Sequence, residues 1–422
     1  MPGAQSSLRG ANRVRIVETI RRYGGLTQVE LVAATQLSAA TVSTIVKELV
    51  AAGVVDVRTT IHSGRRAQLV TLARRLGVAA GIHVSPRQLR IAVADSSHEV
   101  LAEQTLPLPY EHRVDTTLDR CALLLIELLE RVGAAMDDVL GIGIGIPAPV
   151  DSGTGQVSVR GIMRGWDDVP IAHVLSKRLS RPVFVDNDAN LGALSESRVG
   201  AGAEYRDIVY VRVSHGTGAG IVIGGNVHRG FAGTAGEIGH VQVDPAGDIC
   251  LCGSRGCLDT KVGARAVTEP LRASLGSLTI RDVISRASQG DPGCVRVVAD
   301  VGGLIGSVVA GLAMAVNPQC IVVGGELAET GDVLIEPMRE VIRQRVPLNQ
   351  VAPVEVVRSR LGDRAEVTGA VMLALQSTDA SRIVHDVSPA GVVQDPDLAQ
   401  DRAQGEHSGT ILGERHKEVA GS

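Results

Sequence analysis

Along the first eighty residues the apolar positions fall at helical spacing and then switch to alternation. Val14 to Tyr23 predicts a first helix, and Thr27 can cap a second that runs through Glu30, Leu31 and Ala34. Ser38 can cap a third, in which Val42, Ile45, Val46 and Leu49 form one stripe, and Gly53 ends it. The opposite face offers Ala40, Thr41, Ser43, Thr44 and Lys47, small and polar enough to lie in a major groove about 12 Å wide. Two short strands follow, Val54 to Thr59 and Gln68 to Leu72, around a tip of His62-Ser63-Gly64-Arg65-Arg66. Three helices and then a hairpin with a basic tip resemble a winged helix-turn-helix, with Arg65 and Arg66 placed for a minor groove or for phosphates. A small helical bundle used for protein contacts would carry the same stripes.

From about Leu76 onward aliphatic strands alternate with helices. The strands predicted are Val78 to Val84, Gln88 to Ala94, Val139 to Ile146, Pro182 to Val185, Ile208 to Val213, Gly220 to Ile223 and Cys320 to Val323; the helices are Thr116 to Val132, Ala172 to Arg178, Val301 to Val316 and Ile335 to Gln344. The order is α/β and long enough for two lobes with a cleft between them. Glycine-rich turns sit where several strands end, which is where ligands of such sheets bind. Val301 to Val316 falls short of the roughly 20 residues that span a bilayer and is flanked by Asp300 and Asn317, so it reads as a buried helix. No membrane partner is expected, and no basic segment followed by an apolar run marks a leader.

Composition narrows the class. A length of 422 residues suggests two or three domains, and 44% hydrophobic with 21% charged residues excludes bulk disorder and fibrous repeats. Aromatics make up 2%, so the core must be aliphatic. The formal net charge of -4 hides an asymmetry: residues 1–80 hold eleven Lys or Arg against four acids, a net +7, which leaves -11 for the rest. A basic module joined to an acidic one points to a polyanion for the first, although a solvated basic surface has the same sign. Six cysteines in a chain this long do not make a secreted disulfide framework, and a reducing cytoplasm fits better.

The sharpest local signal is His240 followed by Cys250, Cys252 and Cys257, in GEIGH and CLCGSRGCLD. One imidazole and three thiolates make a closed tetrahedral set for a structural zinc, with Gly253 and Gly256 letting the backbone wrap the ion; buried unliganded thiols or a transient disulfide are the alternatives. Cys121, Cys294 and Cys320 lie in apolar surroundings and read as core. Near the cluster stand Glu237 and, after an apolar strand, Asn187 and Asp188. Such a pair can accept hydrogen bonds from hydroxyls, and the carboxylate could take a proton from one, although an Asn-Asp pair alone is commonly a turn former.

Together these residues resemble the ROK family of repressors and sugar kinases, over about residues 10 to 375. GEIGH (Gly236 to His240) and CLCGSRGCLD (Cys250 to Asp259) match its two signature segments; GIPAPVD (Gly145 to Asp151), NDAN (Asn187 to Asn190), GTGAG (Gly216 to Gly220) and VVGGEL (Val322 to Leu327) match others in order. The resemblance implies a winged helix-turn-helix over 1–75 and a two-lobed actin-like or RNase H-like fold, with lobe 1 over 76–195 and lobe 2 over 196–376. A C-terminal helix would return to lobe 1. It implies a sugar or sugar phosphate held by Asn187, Asp188, Glu237, His240 and Asp259, with Asp188 the base in the kinases, and His240 also on the zinc. It places vestigial nucleotide contacts at Gly216, Thr217, Gly218, Gly324 and Gly325.

Two departures matter. Where the kinases have Asp-x-Gly-x-Thr for magnesium and phosphate, this chain has Gly81-Ile82-His83-Val84-Ser85-Pro86-Arg87, with His83 for the Asp and a proline that lacks a backbone donor. ATP and magnesium are therefore not expected. Asp259 stands where the family usually has Glu, one methylene longer. The expectation is a non-enzymatic, sugar-responsive regulator, most simply a repressor, that binds double-stranded operator DNA as a homodimer or homotetramer. The alternatives are an ATP-dependent sugar kinase carrying a DNA module and a zinc-stabilised interaction protein. Ser377 to Ser422, with eight acids, four bases and no aromatics, is expected to be a flexible tail.

Overall fold

The computed structural model describes residues 2–62, 65–151, 153–346 and 353–378, and the side chains of residues 2–7, 61, 62 and 65 fall outside that description. Most of the expected tail, from residue 379, lies outside it as well.

The N-terminal head holds α1 (Pro2–Tyr23), β1 (Leu26–Thr27), α2 (Gln28–Thr35), α3 (Ala39–Ala51), β2 (Val55–His62) and β3 (Arg65–Leu72). Both caps read from the sequence are present: Thr27 forms a capping box with Glu30, and the Ser38 hydroxyl accepts the Thr41 amide at 3.1 Å. The stripe Val42, Ile45, Val46 and Leu49 is buried against Ile16, Ile20, Leu31, Val70 and Leu72. Two features differ from expectation. The hairpin gains a third strand, in the order β1-β3-β2, because Leu26 and Thr27 pair with Val70 and Leu69. Helix α1 starts twelve residues before Val14, with no apolar stripe over that stretch; Arg9 and Arg13 instead bind Glu48 of α3.

A 3-10 turn, Arg74–Leu76, leads into lobe 1: β4 (Val78–Val84), β5 (Gln88–Asp95), β6 (Val100–Pro107), α4 (Val114–Val132), β7 (Val139–Ile146), α5 (Ile171–Leu179) and β8 (Val183–Asn187). Its sheet runs β6-β5-β4-β7-β8, with β7 and β8 parallel to β4. Helices α4 and α5 cover one face through Leu118, Leu125, Ile171 and Leu175.

After α6 (Asp188–Val199), lobe 2 is built on β9 (Ile208–Val213), β10 (Thr217–Ile223) and β11 (Asn226–His228). Four short helices follow, α7 (Asp259–Val262), α8 (Ala264–Thr268), α9 (Arg272–Leu275) and α10 (Ile280–Ser288). Then come α11 (Pro292–Val316), β12 (Cys320–Gly324), α12 (Asp332–Arg345), β13 (Glu355–Arg358) and α13 (Ala365–Ser377). The sheet order is β11-β10-β9-β12-β13. Helix α11 begins nine residues earlier than its apolar run, because Asp291 caps it and Pro292 takes the first position. Its apolar face, Val298, Ile305, Val309 and Ala313, is buried in the lobe 2 core.

Helices α6 and α13 lie between the two sheets, α6 against β9 and β10 and α13 against β4 and β7. Contact here is at the backbone: a Cβ at Gly143 would stand 2.0 Å from the Ala370 carbonyl oxygen, and one at Gly369 would stand 2.0 Å from that of Leu191. Only glycine permits such approach.

Candidate ligand cleft, metal cluster and head

A cleft of about 780 Å³ opens between the lobes, lined by Asn187, Asp188, Glu237, His240 and Asp259 together with the hairpin tip His215 to Gly218. The fold thus gathers the five expected sugar residues from β8, α6, the turn after β11 and α7. Asn187 caps α6, its Oδ1 accepting the amides of Ala189 at 2.8 Å and Asn190 at 3.2 Å while Nδ2 donates to the Ala148 carbonyl at 3.1 Å. Asp188, the first residue of α6, is buried, with Oδ2 3.4 Å from Arg212 Nη1 and 3.6 Å from His83 Nε2. Burial works to raise its pKa, but the Arg212 charge and His83 outweigh it and hold the carboxyl below its usual range.

Glu237 behaves oppositely. Burial first, then the neighbouring Asp188 and Asp259, push its carboxyl up to about 7. Asp259 is also raised, by burial against the opposing pull of the Thr217 amide, which donates to its Oδ1 at 2.8 Å. The shorter side chain therefore reaches the cleft but ties itself to the glycine hairpin. Of the expected nucleotide residues, Gly216, Thr217 and Gly218 line the cleft. Gly324 instead ends β12 against a side chain and Gly325 follows it against backbone: a Cβ at Gly324 would lie 2.3 Å from the Tyr210 hydroxyl, and one at Gly325, at φ +85°, 2.4 Å from the Val213 carbonyl oxygen.

The sequence did not single out Arg212, Tyr210 or Glu366. Arg212 is buried in β9, its charge reinforced by Asp188 and Glu366 over the opposing cost of burial. Glu366 of α13 accepts Arg212 Nε at 3.0 Å and the Tyr210 hydroxyl at 2.9 Å. A lone arginine in the apolar run IVYVRV was the available signal; its partner lies 154 residues away.

Beside the cleft, His240, Cys250, Cys252 and Cys257 bring one ligand atom each to within 4.8 Å of one another. His240 Nδ1 lies 3.5 Å from Cys250 Sγ, and the sulfurs of Cys252 and Cys257 are 3.7 Å apart. A tetrahedron with bonds of about 2.0–2.3 Å has edges of about 3.3–3.8 Å, so the donor set fits zinc. Gly256, at φ +66°, is required by the turn: a Cβ there would fall 1.6 Å from the Asp244 carbonyl oxygen. His240 Nε2 points the other way, 3.9 Å from Glu237, so one ring faces both the cluster and the cleft. Cys121, Cys294 and Cys320 are buried free thiols.

On the head, Ser38, Ala40, Thr44 and Lys47 are exposed, while Thr41 and Ser43 are half-buried. The Ser38 and Thr41 hydroxyls are 2.8 Å apart, and Thr44 Oγ1 donates to the Ala40 carbonyl at 2.9 Å. Arg66 is exposed on β3; Ser63, Gly64 and the Arg65 side chain fall outside the described residues.

Residues 79–377 match the ROK family, and residues 10–66 match the MarR family. The chain belongs to the ROK family. Within it, the chain is 28% identical over 393 residues to the xylose repressor of Caldicellulosiruptor bescii, covering 88% of this chain and 97% of that one. The glucokinase of Halalkalibacterium halodurans is 32% identical over 317 residues, 71% of this chain and 96% of the enzyme. The crystal structure of a ROK family transcriptional regulator, a homologue of the E. coli MLC protein, superposes with a TM-score of 0.71 at 27% identity, over 90% of this chain and 99% of that one. The repressor-like members thus span head and lobes together.

Proposed function

We propose that this ROK protein is a sugar-responsive transcriptional regulator acting as a repressor. The observation that carries the reading is the union, in one chain, of a winged helix head with a cleft whose Asp188 is held by Arg212 and His83. Ala40, Thr41, Ser43, Thr44 and Lys47 face a major groove from α3, Ser38 starts that helix, and Arg65 with Arg66 carry the wing to phosphates or a minor groove. Sugar hydroxyls bind at Asn187, Asp188, Glu237, His240 and Asp259. His240, Cys250, Cys252 and Cys257 hold a zinc ion, which stiffens the loop that presents His240 to the sugar. The protein works in the cytoplasm as a symmetric oligomer, a homodimer or homotetramer, on half-sites about 34 Å apart or multiples of that.

The cleft supports sensing better than phosphoryl transfer. A general base works best with a pKa near the working pH, and Arg212 with His83 hold the Asp188 carboxyl below its usual range, which weakens it as a proton acceptor. His83 supplies no carboxylate for magnesium, and the Thr217 amide of the glycine hairpin is occupied by Asp259. Kinase activity is the second reading, favoured by the glucokinase likeness and by the presence of Asp188 itself. A thermal-shift screen of sugars and sugar phosphates separates the two: one saccharide raises the unfolding temperature by mass action, and Glu237→Ala abolishes the rise. A protein that no saccharide stabilises, and that consumes ATP with a sugar, would overturn the proposal.

A further inference from the structure

The last two residues of α1 that carry arginine end in carbonyls with no following helical turn to satisfy them. Lobe 1 supplies partners. His98 Nε2, in the turn between β5 and β6, lies 3.2 Å from the Arg21 carbonyl oxygen, and Gln376 Nε2 of α13 donates to that of Arg22 at 2.9 Å. The Arg198 guanidinium, in the last turn of α6, sits 4.2 Å over the centre of the Tyr23 ring, and its Nη2 donates to the Gly225 carbonyl at 2.6 Å. Three elements of the lobes thus grip one end of α1. The linker adds Ser96 Oγ donating to the Ala73 carbonyl at 2.7 Å and Arg74 beside Asp95 at 3.2 Å.

Two of those elements start at the buried ionic cluster around Arg212, whose side chain lines the cleft. Helix α6 opens with Asp188 and reaches Arg198; α13 carries Glu366 in its first turn and reaches Gln376. Each covers ten residues, about 15 Å of helix. They are locked together by Gly369 against Leu191 and by Ser195 Oγ donating to the Ala365 carbonyl at 2.7 Å. Arg212, which lines the cleft, joins their first-turn carboxylates, contacting Asp188 on one side and the buried Glu366 on the other. Asp188 Oδ2 and His83 Nε2 are buried and make no hydrogen bond, so they are the atoms an entering hydroxyl would engage.

We propose that Arg198, Gln376 and His98 are positioning residues for the DNA-binding head, holding α1 in one orientation that the Asp188–Arg212–Glu366 cluster controls through α6 and α13. A ligand that draws on Asp188 changes how Arg212 divides between the two carboxylates, and the packed helix pair passes that change to α1. The state favoured is the one the ligand binds better. The proposal rests on the regulatory reading for its purpose, but its structural content needs neither sugar nor operator to test.

Hydrogen exchange on the full-length protein reads it directly. Tyr23→Leu combined with Gln376→Leu should speed exchange in the last turn of α1 and in residues 74–77 about tenfold, with α4 unchanged. Glu366→Gln, which keeps the size and removes the charge, should speed the same head segments at least threefold from the far end of α13. Asp188→Asn serves as the second cleft variant, with α4 as the internal control for loss of fold. If the head segments exchange at the unaltered rate in the double variant, these residues do not hold the head. If they respond there but in neither cleft variant, or move only in step with α4, the coupling is overturned. A cleft that later proves blind to every sugar would leave the exchange result standing and remove only the regulatory reading.

Discussion

Behind the wall of the cleft, His83 Nε2 faces the Oδ2 of the cleft-lining Asp188 across 3.6 Å. With Arg212, the imidazole holds the Asp188 carboxyl below its usual range. The purified protein should release no ADP above the protein-free rate with ATP, magnesium and D-glucose, D-xylose or N-acetyl-D-glucosamine. A coupled assay checks this; sustained turnover lost in Asp188→Asn would contradict it.

The metal cluster gives a second prediction. Freshly purified, reduced protein should carry about one zinc per chain by elemental analysis, and Cys252→Ser should lose it and unfold at a lower temperature. Because the same loop presents His240 to the cleft, the variant should also weaken sugar binding. Zinc content near zero in the unaltered protein would remove the structural role assigned to these four side chains.

The wing can be tested through salt. Each phosphate contact contributes roughly -0.9 to the slope of log affinity against log salt, so replacing both Arg65 and Arg66 with Ala should flatten it by about 2 per head. Anisotropy titrations over a range of salt concentrations with duplex DNA read this. An unchanged slope would place the wing off the duplex.

The buried ionic cluster should be costly to break. Glu366→Ala leaves Arg212 short of one carboxylate in a water-poor site, and losses of about 3–5 kcal/mol are usual for such truncations. Denaturant unfolding would show it as a lower midpoint, and a midpoint within error of the parent would mean that solvent reaches Arg212.

Acid should loosen the head. Burial, opposed by the Arg21 carbonyl and Asp95, lowers His98 from 6.5 to about 4. Glu99 on that turn and Arg74 and Arg75 on the linker are the other charges there. Above pH 6.5 the ring is neutral whether or not the head is docked, and docking has its full strength. Between 6.5 and about 4 the undocked ring takes a proton that the docked ring refuses, so docking weakens as pH falls, by at most about 3 kcal/mol. Distances between spin labels on α2 and α4 should lengthen over that window, and His98→Gln should remove the dependence.

Much of this was legible in the sequence. The head declared itself through Thr27, Ser38 and one stripe of four apolar residues, and the cluster through the spacing of its thiols. Helix α6 did not: Asp188 to Ser197 are buried on every side between two sheets, so no polar face marks its period. Strand β6 was missed for the opposite reason, because its residues, among them Glu103 and Gln104, form a partly wet edge with no apolar run. The start of α11 at Pro292 was missed because Arg296 and Asp300 interrupt the apolar run ahead of Val301. The ionic cluster was beyond reach, since nothing local ties Arg212 to Glu366.

Helix α13 fills the space against Gly143 and Leu191 and also donates to α1. It is therefore both the final strut of lobe 1 and part of the seat for the head. During synthesis the head and the first sheet emerge from the ribosome well before that strut exists. Until that helix has been made, an emerging chain lacks the Gln376 contact with α1 and has only the His98, Arg198 and linker contacts to seat the head.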